Sequence, residues 1–273
     1  MNLGEALSAA RQKIDRLDAR LLLQYATGCT HADLLARPEM PVIAPAYEQF
    51  AEWVERRAAS EPLAYLVGEA EFRGRVFQVS PDVLIPRPET EVLVELALEK
   101  LRGMEKPRIL DLGTGSGIVA ISLALECPTA QVTAVDLSAG AIAVARNNAG
   151  RLGAAIDFRA GSWFEPVPGE CFDLVVSNPP YVAAGDPHLA LNGLPFEPQM
   201  ALSDQVPGGN GLACIRQIVG AAASHLNPGC WLLFEHGYDQ GPASRNLLTL
   251  AGFKAAFTHP DLAGIDRVSG AHL

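Results

Sequence analysis

The sequence predicts an α/β chain built on a mostly parallel, doubly wound sheet with a small helical domain in front of it. Three observations carry that expectation. From Arg87 onward, short apolar segments alternate with helical patterns; the first of these segments runs into a glycine-rich turn; and before residue 70 the apolar residues recur at helical spacings.

Residues 1–70 read as a helical bundle. Leu3, Ala6, Leu7, Ala10, Ile14, Leu17, Leu21 and Leu22 recur every three or four positions, and Gly28 stands where a helix would stop. Thr30 with Asp33 three residues on is a capping-box pattern ahead of Leu34 and Leu35. Beyond Pro45, one helical face gathers Phe50, Trp53 and Val54. Residues 71–86 change character: Val76, Phe77, Val79, Val83 and Ile85 form short β-like runs punctuated by Gly74 and Pro81, which predicts a β-hairpin connector.

Residues 87–273 form the sheet domain. It opens on "IPRPETE", where Pro88 suits a first helical turn, Glu89 and Glu91 favour the helix's positive end, and Leu93, Leu96 and Leu101 make a buried face. Seven strand candidates follow: "RILDLG", "QVTAVD", "AIDFRAG", "FDLVVSN", "WLLFEHG", "FKAAFTHP" and "DRVSGAHL". Too few residues join the last two for a crossover helix, so the final strand is expected to be antiparallel. The stretch 182–210 is rich in Pro, Gly and polar residues and has no clean period; a loop of that length inside a compact domain is usually functional or mobile.

Composition narrows the partners. A formal net charge of −10 argues against a broad nucleic-acid face, which needs clustered Lys and Arg. The five cysteines are odd in number, scattered and never in a CxxC pair, so neither a disulfide framework nor a metal site is expected. No apolar run has the length of a membrane span and no signal peptide is evident, which predicts a cytoplasmic protein.

Two motifs carry chemistry. In Gly113-Thr114-Gly115-Ser116-Gly117 the glycines would let backbone approach a ligand at a helix start. The GxGxG spacing lacks the third glycine position of the dinucleotide fingerprint, which favours a nucleoside over a pyrophosphate. Asp136, nineteen residues beyond Gly117 and at the end of the next strand, is placed to bond both ribose hydroxyls. Trp163, following the third strand, would cover an adenine; packing beneath a loop is the competing account. After the fourth strand come Asn178, Pro179, Pro180 and Tyr181. The prolines fix two φ angles and remove two donors, so the loop offers acceptors on a rigid frame. Amide or aromatic-amine hydrogens bonded to the Asn178 side-chain oxygen and the Pro179 carbonyl would aim a nitrogen lone pair, with Tyr181 packed on the planar group. A sulfonium methyl in the first site is the matching electrophile.

These motifs, "DLGTGSG", "AVD", "GSWF" and "NPPY", resemble the S-adenosylmethionine-dependent amino-methyltransferases, and "VLIPRPETE", "NGLACIRQIV", "LLFEHG" and "DLAGIDRV" look like the release factor glutamine methyltransferases, the PrmC or HemK family. The resemblance implies a Rossmann-like seven-stranded methyltransferase sheet with an antiparallel last strand. It also implies S-adenosyl-L-methionine as cofactor, held by Gly113 to Gly117, Asp136, Trp163 and Asn178. The implied substrate is the glutamine of the Gly-Gly-Gln motif in class 1 peptide chain release factors, bound through Asn178, Pro179, Pro180 and Tyr181. Where relatives commonly carry an acid in a Gly-x-Asp-Gly turn, this chain has Asn210. The alternative is an adenine-amino DNA methyltransferase, which would need a basic groove; residues 1–86 carry nine basic and twelve acidic side chains.

Overall fold

A computed structural model describes all residues 1–273, and the chain divides into two compact units: Met1–Glu69 with Ala190–Phe196, and Ala70–Leu189 with Glu197–Leu273. The first unit is helical. Helices α1 (Leu3–Ala10), α2 (Arg16–Thr27), α3 (His31–Ala36), α4 (Ala44–Ala58) and α5 (Leu63–Val67) surround a core of Leu3, Leu7, Leu22, Leu23, Phe50, Val54 and Leu66. Thr30 and Asp33 form a reciprocal capping box on α3, and Gly28 ends α2 in the left-handed conformation. The apolar run from Leu3 to Leu22 is not one face, because the chain leaves the helix after Ala10 and re-enters at Arg16, which turns Leu17 half out to solvent.

In the second unit β1 (Glu69–Phe72) and β2 (Arg75–Gln78) form a hairpin that starts two residues earlier than the composition change suggests. Arg73 and Gly74, both at positive φ, make its two-residue turn. Helix α6 (Glu91–Lys100) follows a short helical turn at Pro88–Thr90 and buries Leu93, Leu96 and then Leu101, as the sequence predicts.

Then come β3 (Arg108–Leu112), α7 (Ile118–Glu126), β4 (Gln131–Asp136), α8 (Ala139–Leu152), β5 (Ile156–Ala160) and β6 (Phe172–Ser177). The chain continues through α9 (Gln199–Leu202), α10 (Ala213–Ala222), β7 (Leu226–Glu235), α11 (Gly241–Leu250), β8 (Lys254–Pro260) and β9 (Asp266–His272). The seven-stranded sheet has the order β5-β4-β3-β6-β7-β9-β8. All strands run parallel except β9, which is antiparallel to β7 on one side and β8 on the other. Strand β7 begins at Leu226, five residues before the apolar run "WLLFE": its pairing with β6 jumps from Leu226 to Trp231, leaving Asn227 to Cys230 bulged out around Gly229.

Strand alternation sorts the core into two layers. Ile109, Leu174, Val176 and Leu233 face α6, α7 and α8; Leu110, Leu112, Val175, Leu232 and Phe234 face α10 and α11. The order reverses between β3 and β6, so a crevice opens where their carboxyl ends diverge, the place where doubly wound sheets bind ligands. No helix is long and apolar enough to cross a membrane.

Candidate active site

The crevice is a cavity of about 390 Å³. Its floor is the turn after β3. Gly113 and Thr114 both donate to the Val135 carbonyl (2.8 and 3.0 Å), Gly115 donates to the Asp136 carboxylate (2.8 Å), and Gly117 donates to the Thr114 carbonyl (2.8 Å). Those four amides are committed inside the protein and are not free to bind a phosphate. Gly113, Thr114, Gly115 and Ser116 line the cavity, whereas Gly117 packs away from it. At φ +85°, a Cβ on Gly117 would stand 2.9 Å from Ile121 Cδ1 and 3.2 Å from Ala145 Cβ, so this glycine lets α7 and α8 close on the turn.

Asp136 ends β4 with one carboxylate oxygen on the Gly115 amide and the other on the Ser138 amide, each at 2.8 Å. Burial raises its pKa, and bonds from the Ser138, Gly115 and Leu137 amides oppose the shift. Each oxygen keeps a lone pair for a ligand hydroxyl. Trp163 also lines the cavity, at φ +43°, an uncommon conformation for a bulky residue; its indole N–H donates to Gln217 Oε1 (2.7 Å). Asp111, which sequence reasoning passed over, also lines the cavity. It accepts from Thr114 Oγ1 (2.7 Å), and burial pushes its carboxyl up to about 7.

Asn178, Pro179, Pro180 and Tyr181 leave β6 at the same edge, tied down by Ser177 Oγ donating to the Leu112 carbonyl (2.7 Å). Asn178 lines the main cavity together with Pro180, and lines a smaller adjoining pocket together with Pro179 and Tyr181. Asn178 Nδ2 donates to Thr90 Oγ1 (3.1 Å), Thr90 donates to Glu235 Oε2 (2.7 Å), and the Tyr181 hydroxyl donates to Glu235 Oε1 (3.0 Å). Glu235 is buried, which pushes its carboxyl up to about 7; the Tyr181 phenol is raised above its ordinary value by its own burial first, and then by the Glu235 charge and the hydrogen bond to it. Beyond the tetrapeptide, Gln240 Nε2 donates to the Tyr181 and Asn210 carbonyls (2.9 and 3.0 Å). A Cβ on Gly211 would lie 2.0 Å from the Tyr181 carbonyl oxygen, so only glycine fits there. The Asn210 side chain accepts from Arg216 (3.2 Å). The stretch 182–210 is short helical turns and α9, and it brings Glu197 into the interior as an acceptor from the Ile85 amide (3.0 Å) and the ion-pair partner of Arg87.

Residues 89–192 match the "Methyltransferase small domain" model and residues 3–68 match the "PrmC N-terminal domain" model. The chain is 51% identical to a release factor glutamine methyltransferase of Bordetella pertussis over 95% of its own length and 96% of that protein's. This chain belongs to the release factor glutamine methyltransferases. A second member, from Burkholderia pseudomallei, is 48% identical over 95% of this chain and 93% of the relative. Among solved structures, a methyltransferase from Pyrococcus furiosus overlays 81% of this methyltransferase at a TM-score of 0.54 and 16% identity, covering 98% of that chain. That likeness speaks to the Rossmann-like methyltransferase fold, which agrees with the sheet order found here.

Proposed function

We propose that the enzyme transfers a methyl group from S-adenosyl-L-methionine to the side-chain amide nitrogen of the glutamine in the Gly-Gly-Gln motif of class 1 peptide chain release factors. The observation that carries this reading is the position of Asn178 between two pockets, one lined by the glycine turn and acids, the other by Pro179 and Tyr181. The larger pocket suits the cofactor. Asp82, Asp111, Asp136 and Asp204 line it against one cationic side chain, Arg87, which Glu197 already neutralises. That donor set fits a ligand bearing positive charge, and Asp136 with Trp163 fits its ribose and adenine.

When bound, the cofactor supplies an electrophilic sulfonium methyl group. The acceptor amide is a poor nucleophile because its lone pair is delocalised. Asn178 Oδ1 and the Pro179 carbonyl would each accept one hydrogen of the amide NH2, which fixes the nitrogen and favours the pyramidal geometry that frees the lone pair. Pro180 stiffens the loop, and the Tyr181 ring, held by Glu235, restrains the plane of the amide. Methylation would leave the amide nitrogen cationic and strongly acidic, so one of its two hydrogens passes to solvent water without a strong base in contact with the nitrogen.

The experiment is transfer of labelled methyl to a purified unmethylated release factor, beside a version with the motif's glutamine replaced by alanine and a duplex DNA control. Label confined to the unaltered factor is expected. Label on DNA, or on the alanine version, overturns the proposal.

A further inference from the structure

We infer that Glu235, acting through Thr90, is the positioning residue that decides which way the Asn178 side-chain amide faces. The inference rests on the reading of Asn178 as the acceptor-amide binder and deepens it. An asparagine amide is nearly symmetric in shape, so packing alone does not choose between presenting its oxygen or its NH2 to the substrate. Only the oxygen can accept a hydrogen from an amide NH2.

The choice is made by counting protons. The Glu235 carboxylate is buried in β7 with two hydroxyls aimed at it, Thr90 at 2.7 Å and Tyr181 at 3.0 Å. A carboxylate only accepts, so both hydroxyls spend their single proton on it. Thr90 then has lone pairs alone to offer to Asn178, and the Asn178 NH2 turns to it at 3.1 Å. Oδ1 is left on the far side of the amide from Thr90. The same carboxylate fixes the Tyr181 ring, so one buried charge orients both groups that would touch the substrate amide. Burial is what most opposes that charge; the Thr90 and Tyr181 hydroxyls and then Arg267 on β9 favour it, and Glu89 beside Thr90 opposes it.

Glu235→Gln reverses the logic at nearly constant shape. The glutamine has one acceptor oxygen and an NH2, so one hydroxyl meets a donor and must rotate; a Thr90 proton turned toward Asn178 calls for Oδ1 in place of Nδ2. Assayed at about pH 8, above the value of about 7 to which burial pushes the Glu235 carboxyl, the variant is expected to lose about 10²-fold in kcat relative to wild type. Its KM for the release factor and its Kd for S-adenosylmethionine should stay within about threefold. Thr90→Val should lose most of that factor, Thr90→Ser should keep most of the wild-type rate, and the Glu235→Gln/Thr90→Val pair should lose no more than Glu235→Gln alone, because Glu235 acts on Asn178 through Thr90.

A Glu235→Gln enzyme with wild-type kcat, or losses that multiply in the double variant, overturns the inference. Should the glutamine variant fail to fold, the contrast between Thr90→Val and Thr90→Ser carries the test, and equal rates in those two overturn it. Wild-type enzyme that binds cofactor yet leaves the release factor unlabelled overturns the reading of the acceptor and this inference with it. Wild-type turnover beside an unimpaired Glu235→Gln overturns the inference alone.

Discussion

Asp136 and Gly115 hold each other: the carboxylate that ends β4 accepts the amide of the glycine turn that ends β3, 2.8 Å away. The acid is therefore a brace for the turn as well as a wall of the cavity. Asp136→Asn keeps one acceptor oxygen but points an NH2 at one of the two backbone amides now satisfied. Cofactor affinity should fall more than about tenfold and unfolding free energy by about 1–3 kcal/mol. Calorimetric titration and urea denaturation read the two effects, and an unchanged affinity would remove Asp136 from the binding site.

If Asn178 binds the substrate amide as proposed, Asn178→Ala should abolish methyl transfer, because it deletes that acceptor while leaving the glycine turn, Asp136 and Trp163 in place. Much of the cofactor affinity should survive. Turnover at the wild-type rate in this variant would sink the amide-binding mechanism.

Trp163 is held by Gln217 and sits at φ +43°. Truncation to Ala removes the large apolar wall and should weaken S-adenosylmethionine binding by about 1–3 kcal/mol. Gln217→Ala frees the indole and should weaken it less. If both variants bind as wild type does, Trp163 merely packs under its loop.

The Asp111 carboxyl is pushed up to about 7 by burial, with the Asp136 charge adding to the shift and the Thr114 hydroxyl and Ala120 amide opposing it. The folded state thus holds this proton more tightly than the unfolded chain, whose aspartates titrate near 3.8. The stabilising contribution is complete below the unfolded value and is lost as pH rises through about 7. Asp111→Asn lacks the titration, so the stability of wild type relative to this variant should decline between those limits by up to about 1.4 kcal/mol per pH unit. Denaturant melts at several pH values test this, and parallel curves would contradict it.

Two glycines separate strain from space. Gly208 (φ +67°) has nothing within 4 Å of a notional Cβ, whereas Gly211 (φ +73°) meets the Tyr181 carbonyl at 2.0 Å. Gly208→Ala should cost about 1 kcal/mol, the left-handed penalty alone. Gly211→Ala should cost several times that and reduce turnover too, since the atoms that must move carry Tyr181. Equal melting temperatures for the two variants would refute the distinction.

Much of this was legible in the chain. The central strands β3, β4 and β6, buried on both faces, are apolar runs that can be read directly, whereas the half-exposed edge strands β5 and β8 were legible from their spacing between helical segments; the glycine turn, Asp136 and the tetrapeptide each sit at the end of a central strand. What stayed hidden are pairings across long separations. Thr90 reads as a helix-start residue and Glu235 as an acid closing "LLFE"; nothing local says that they meet across 145 positions. Asp111 was masked by the glycines after it, though an acid inside an apolar strand is itself a signal of a paired or shifted carboxyl. The bulge at Asn227 to Cys230 hid the start of β7, because Pro228 and Gly229 read as a turn. Ala190–Phe196 belongs with the helical unit although it interrupts the sheet domain in sequence, a relation no periodicity records.

The insertion of β9 between β7 and β8 imposes an order of events on a ribosome-bound chain. Until residues 266–272 have emerged, the β7 edge has no neighbour on that side and β8 has no strand to pair with. Glu235 pairs with Val268 across that seam, so the residue whose carboxylate binds Thr90 and Tyr181 lacks its strand neighbour on that side until β9 is in place. A nascent chain of this enzyme can pair β3 with β4 and so assemble its glycine turn before β9 exists, yet until β9 is inserted it exposes an open β7 edge to aggregation.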